Sequence, residues 1–185
     1  MATWTSWRNP ATGAAQNRTG GSVAWASPTR GGTSNNSYTT ATLNGNSSHW
    51  LWCTNFGFTS ADIPEGATIT GVKARFERKQ NNNTDDGIQV AYAKLIISSA
   101  EAGNEKSQSG AWPLADAVSS DFGGSGDLWG TSMTRADALA TTTGVAIAGE
   151  DLAFLGSTGS IDAVELAFEY EVASTRRRIF AVVVG

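Results

Sequence analysis

The 185-residue chain is 40% hydrophobic and 16% charged, with a formal net charge of −4; its length fits one domain, and its charge fraction lies below the roughly 25% of average soluble domains. No apolar run approaches the roughly 18 residues that span a membrane, and the N-terminal MATWTSWRNP lacks the charged-then-apolar layout of a secretory signal, so neither a membrane partner nor processing is expected. A single cysteine, Cys53, excludes an internal disulfide, and a single histidine, His49, leaves a closed zinc site short of ligands, so no metal or other cofactor is expected.

The charge is unevenly spread. Residues 1–61 hold Arg8, Arg18 and Arg30 and no acid, a net +3, while the remainder holds 10 basic and 17 acidic residues, a net −7. Three scattered arginines fall short of the clustered basic footprint that phosphate binding requires, which sets nucleic acid aside in favour of an acidic protein partner.

Residues 1–47 are rich in Thr, Ser, Asn, Gly and Ala, with isolated Trp4, Trp7 and Trp25. They read as an extended N-terminal arm whose tryptophans dock either on a neighbour or on the chain's own body, because polar disordered segments are normally poor in aromatics. From His49 the text turns aromatic, and His49 to Phe58 is expected to be a strand that ends before the turn at Asp62-Ile63-Pro64-Glu65-Gly66. In Thr68 to Lys79, Thr70, Val72, Ala74 and Phe76 alternate with Lys73, Arg75, Glu77 and Lys79, the period of a half-buried strand.

Residues 80–87 are a polar connection, Ile88 to Ser98 an apolar strand suited to the middle of a sheet, and 99–111 a long polar loop. Thr134-Arg135-Ala136-Asp137 has the form of a capping box and predicts one short helix. Thr143 to Ala148 is a short strand; Ile161 to Val172 alternates most clearly, with Val164, Leu166, Phe168, Tyr170 and Val172 on one face. The predicted class is all-β, an antiparallel two-sheet sandwich of jelly-roll type with an extended arm and at most one short helix. Its divisions are an arm at 1–47, a jelly-roll domain at 48–173 and a C-terminal strand or tail at 174–185. That tail, with Arg176, Arg177, Arg178, Ile179 and Phe180, is either a last core strand or one donated to a neighbouring chain.

Catalytic patterns are weak. On a regular strand His49 and Cys53 share a face about 13 Å apart, beyond the reach of a nucleophile and its base. The paired acids Asp85/Asp86, Asp116/Asp121 and Glu150/Asp151 lie mostly beside turn residues, where Asp satisfies local backbone. Asp85-Asp86-Gly87 lacks the spacing of a calcium loop. The stretch GGSGDLWG, Gly123 to Gly130, has no lysine after its last glycine and no βαβ unit around it, so it reads as a tight loop with Trp129 as its plug. Aromatic faces stack on sugar rings, and Trp50 and Trp52, two apart, share one strand face as a core or interface stripe would.

Ile63-Pro64-Glu65-Gly66-Ala67-Thr68-Ile69-Thr70-Gly71-Val72, Ala111-Trp112-Pro113, Asp127-Leu128-Trp129-Gly130, the Thr-x-Ala-Asp segment at 134–137, Gly144-Val145-Ala146-Ile147 and Ile161-Asp162-Ala163-Val164-Glu165 follow one another in an order that resembles a jelly-roll domain of tailed-bacteriophage virion proteins. With Asn55-Phe56-Gly57-Phe58 upstream, the resemblance covers roughly residues 48–172. It implies a structural or attachment protein without enzyme activity, made in the host cytoplasm and placed on the virion, on the capsid surface in preference to the tail.

The expected role is a capsid decoration protein, a homo-oligomer such as a trimer, that binds the major capsid protein or other virion proteins. Trp4, Trp7, Arg8, Arg18, Trp25, Arg30, Arg176, Arg177, Arg178, Ile179 and Phe180 are its candidate interface residues. The alternative is a tail or fibre module that grips host-surface carbohydrate with exposed tryptophans or the 80–87 loop. A glycosidase or esterase has no supporting constellation.

Overall fold

The computed structural model describes residues 1–11, 15–81, 87–152 and 156–173, so the expectations for Asp85, Asp86, Arg176, Arg177, Arg178, Ile179 and Phe180 lie outside the described residues. Two antiparallel sheets pack face to face as a sandwich of jelly-roll type, as expected. The strands are β1 (Thr3–Trp4), β2 (Ala15–Arg18), β3 (Thr39–Thr42), β4 (Trp50–Thr54), β5 (Ala67–Gln80), β6 (Ile88–Ile97), β7 (Ala100–Ser109), β8 (Ala117–Val118), β9 (Phe122–Gly124), β10 (Gly144–Asp151) and β11 (Thr158–Val172). One sheet runs β1-β11-β5-β8, with β3 also on β11 and β9 also on β5; the other runs β2-β4-β10-β6-β7.

The two longest strands, β5 and β11, pair from Gly159 opposite Gln80 to Val172 opposite Ala67. Their alternation sends Val72, Ala74, Phe76, Val164, Leu166 and Phe168 inward against Leu51, Cys53, Leu95, Val145 and Ile147, all of them buried. A side-chain period of two commits each strand to a single register wherever one face is apolar, so these strands fix the sandwich. The short helix α1 (Arg135–Leu139) opens on the predicted capping box, Thr134 accepting from the Asp137 backbone N–H and Asp137 from that of Thr134.

The polar loop expected at 99–111 is instead largely strand β7, paired with β6. It is an edge strand exposed along most of its length, so it carries no apolar alternation to be read. Ser98 and Ser99 turn the chain with φ of 53° and 60°, the twist of a two-residue hairpin without its usual Asn-Gly signature.

The described part of residues 1–47 runs along its own sandwich. β1, the Arg8–Leu166 bridge and β3 pair with one edge of β11, and β2 pairs with β4. This edge pairing satisfies backbone groups along β11 that would otherwise present an open template for another chain. Buried Asp162 secures the segment by accepting from the backbone N–H groups of Asn35, Asn36 and Ser37 at 3.0, 2.8 and 3.2 Å.

The glycine-rich stretch is a structural corner. Gly123, Gly126 and Gly130 hold positive φ, and Trp129 sits among them at φ 58° with its ring fully buried and its indole N–H donating to the Val72 carbonyl at 3.0 Å. The carboxylate of Glu169 accepts from the Ser125 hydroxyl at 2.7 Å and the Gly126 N–H at 3.0 Å, clamping the corner to β11. Asp127 accepts from the Trp129 backbone N–H and pairs with Lys106 at 2.7 Å.

Candidate binding face

The outer face of the five-stranded sheet carries the site. On β4, Leu51 and Cys53 point inward, so the alternation turns Trp50, Trp52 and Thr54 outward, each half-buried. Register then decides their neighbours: Trp52 lies opposite Ala146 of β10, which lies opposite Lys94 of β6, and one pleat further Ala148 lies opposite Tyr92. Two alanines in the central strand, between Trp50 and Trp52 on one side and Tyr92 and Lys94 on the other, leave a trough.

At one end the trough opens into a cavity of about 210 Å³ walled by Trp50, Tyr92, Glu105, Ser47 and Gly20 above Ala148. The glycines are required here. A Cβ on Gly20 would overlap Cδ1 of Trp50, and one on Gly21 would overlap the carbonyl oxygens of Ser47 and Ser48. The Tyr92 hydroxyl donates to the Glu150 carboxylate; that bond, burial and the negative charges of Glu150 and Glu105 push the phenol up to about 12, so it stays neutral. Toward the other end, Gln16, Arg18, Trp52, Thr54 and Ser99 line a smaller notch of about 60 Å³, where the Arg18 guanidinium lies 5.1 Å from the centroid of the Trp52 ring.

The candidate nucleophile and acids take other roles. Cys53 is fully buried, and burial pushes its thiol up, away from the reactive thiolate. His49 shares a 3.2 Å hydrogen bond with the Asn17 side chain through Nδ1. Asp116 accepts from Tyr38 at 2.7 Å and Lys79 at 3.2 Å, and Asp121 pairs with Lys73 at 3.5 Å. Among the described residues no group of three His, Cys, Asp or Glu side chains converges as metal ligands would.

The interface candidates are dispersed. Trp4 and Trp7 come together half-exposed, with Lys73 4.5 and 4.6 Å from their ring centroids and Arg75 4.2 Å from that of Trp7. Arg8 is bound to Asp62 at 2.6 Å. Burial pushes the Asp62 carboxyl up, but the Arg8 guanidinium and the Thr59 donors outweigh it and hold the group below its ordinary value. Trp25 is a core residue, 3% exposed, its indole N–H donating to the His49 carbonyl at 2.6 Å, which removes it from any surface. Arg30 is exposed and apart from the others, and Arg18 lies on the trough.

Tyr92, Glu105, Gly20 and Gly21 escape sequence reasoning because they come from β6, β7 and the chain after β2 and meet only through sheet register. The visible signal was the Trp50-x-Trp52 spacing.

No family model matches the chain, and neither does any curated protein. Among solved structures, the chain is similar to an arabinose-bound α-L-arabinofuranosidase, MgGH51, at 13% identity and a TM-score of 0.47, covering 88% of this chain and 24% of that one. It is also similar to TmCBM61 in complex with β-1,4-galactotriose, at 14% identity and a TM-score of 0.34, covering 88% of this chain and 86% of that one.

Proposed function

We propose that the protein is a non-enzymatic saccharide-binding module, a tail- or fibre-associated virion part that attaches to host-surface carbohydrate through the trough on the five-stranded sheet. The observation that carries this reading is the half-buried Trp50 on the wall of an open cavity of about 210 Å³ that also presents Glu105 and Ser47. An indole beside hydrogen-bonding groups matches a pyranose ring, which has apolar C–H faces and a polar rim. The volume lies below the roughly 300–1,000 Å³ of drug-sized sites and suits one ring of a chain that continues into solvent. The virion setting comes from the family resemblance.

Titration with neutral gluco-, galacto- and manno-oligosaccharides, followed by calorimetry and tryptophan fluorescence, tests the proposal. Saturable binding that Trp50→Ala abolishes and Trp4→Ala leaves intact is expected. Silence across the panel refutes it.

One observation favours a second reading, docking on the major capsid protein: Trp4 and Trp7 remain half-exposed over Lys73 and Arg75. Co-sedimentation with capsids that Trp4→Ala/Trp7→Ala abolishes would select it. The arm itself supports this reading less than it did in sequence, because β1, β2 and β3 pair with their own sandwich.

A further inference from the structure

We infer that Glu105 makes the Trp50 cavity select uncharged saccharides over those that carry carboxylate or sulfate groups. The inference rests on the saccharide reading of the same face and names its ligand class.

Glu105 stands exposed on edge strand β7 and lines the cavity. Among the described residues it makes no ion pair, and no lysine or arginine lines the cavity with it. The basic residues near it in the fold are committed elsewhere: Lys94 to Glu101 at 3.0 Å and Lys106 to Asp127 at 2.7 Å. A second carboxylate, Glu150, bridges to Ser47 through the backbone and accepts from the Tyr92 hydroxyl. The charges of both carboxylates reach the Tyr92 phenol on the cavity wall.

An ionised carboxylate only accepts hydrogen bonds. It suits a pair of sugar hydroxyls, which donate, and repels the carboxylate of a uronate or a sulfate group, which carries charge of the same sign and no donor. Of the cations on this face, Arg18 lies beside Trp52 at the smaller notch and Lys94 is paired with Glu101, and neither lines the Trp50 cavity.

The test uses the full chain and two matched probes, a neutral galacto-oligosaccharide and a galacturono-oligosaccharide of equal length, by calorimetry at low and high salt. The uronate is expected to bind weaker on the order of tenfold, a gap that salt narrows because surface charges are screened within about 10 Å at 0.1 M. Glu105→Gln is expected to bring the uronate-to-neutral affinity ratio closer to one and to weaken its salt dependence, Glu150 keeping the remainder. Equal wild-type affinities, or a ratio unmoved by Glu105→Gln while Trp50→Ala still abolishes binding, overturns the charge selection and leaves the site standing. Binding of neither probe, or binding that survives Trp50→Ala, overturns the site and this inference with it.

Discussion

Replacing Trp129 with alanine tests whether the glycine-rich corner is architecture. Its indole is fully buried, packs where any Cβ on Gly123 would overlap Nε1, and donates to the Val72 carbonyl at 3.0 Å. Emptying a buried Trp site costs about 3–5 kcal/mol, with partial collapse deciding the value within that range. The lost hydrogen bond adds about 1 kcal/mol. Alanine inherits the positive φ of 58°, so no backbone relief offsets the loss. The expected total, about 4–6 kcal/mol, is a large part of the 5–15 kcal/mol typical of a domain. Urea unfolding followed by far-ultraviolet circular dichroism measures it without relying on the removed fluorophore. Trp129→Phe, which keeps most of the ring and drops the N–H, should lose only about 1–2 kcal/mol. A loss below about 2 kcal/mol for Trp129→Ala would refute the plug, because a buried Trp truncation cannot be that mild unless the site is already open.

Other outcomes follow from the same contacts. The Ser125 hydroxyl, with help from the Gly126 N–H and Thr70, outweighs burial and holds the Glu169 carboxyl below its ordinary 4.5. Its stabilisation is therefore full above pH 4.5 and lost as pH falls through the lower folded value, and Glu169→Gln should flatten that acid limb in pH-dependent unfolding. Asp162→Ala should cost about 2–3 kcal/mol and raise amide exchange at Asn35, Asn36 and Ser37, whose N–H groups lose a charged acceptor; unchanged exchange there would contradict the tether. Gly20→Ala should displace the Trp50 ring and weaken oligosaccharide binding while the urea midpoint moves little, and full affinity in that variant would detach Gly20 from the site. Cys53 should resist a thiol reagent in the native protein and react at once in urea.

Much of the fold is legible because its chief strands carry their own evidence. Val72 to Phe76 and Val164 to Phe168 keep every second residue buried, although a bulge after Glu169 ends the expected pattern and leaves Val172 exposed, and the capping box at Thr134 and Asp137 is a local hydrogen-bond pattern that needs no tertiary help. β7 was hidden because an exposed edge strand buries no face, and Ser98-Ser99 adopts a turn that residue type does not announce. Trp25 illustrates the converse: its aromatic character predicted docking, yet only the packing against His49 and the core shows that the partner is its own sandwich.

By itself the sequence determined the all-β class, the inward faces of the central strands and the plugged glycine corner, since each depends on spacing within one segment. Only the tertiary structure decided that β1 and β3 pair with β11 and β2 with β4, and that Trp50 meets Tyr92, Glu105 and Gly20. Strand register joins residues dozens of positions apart, and no local period encodes which strand lies alongside which.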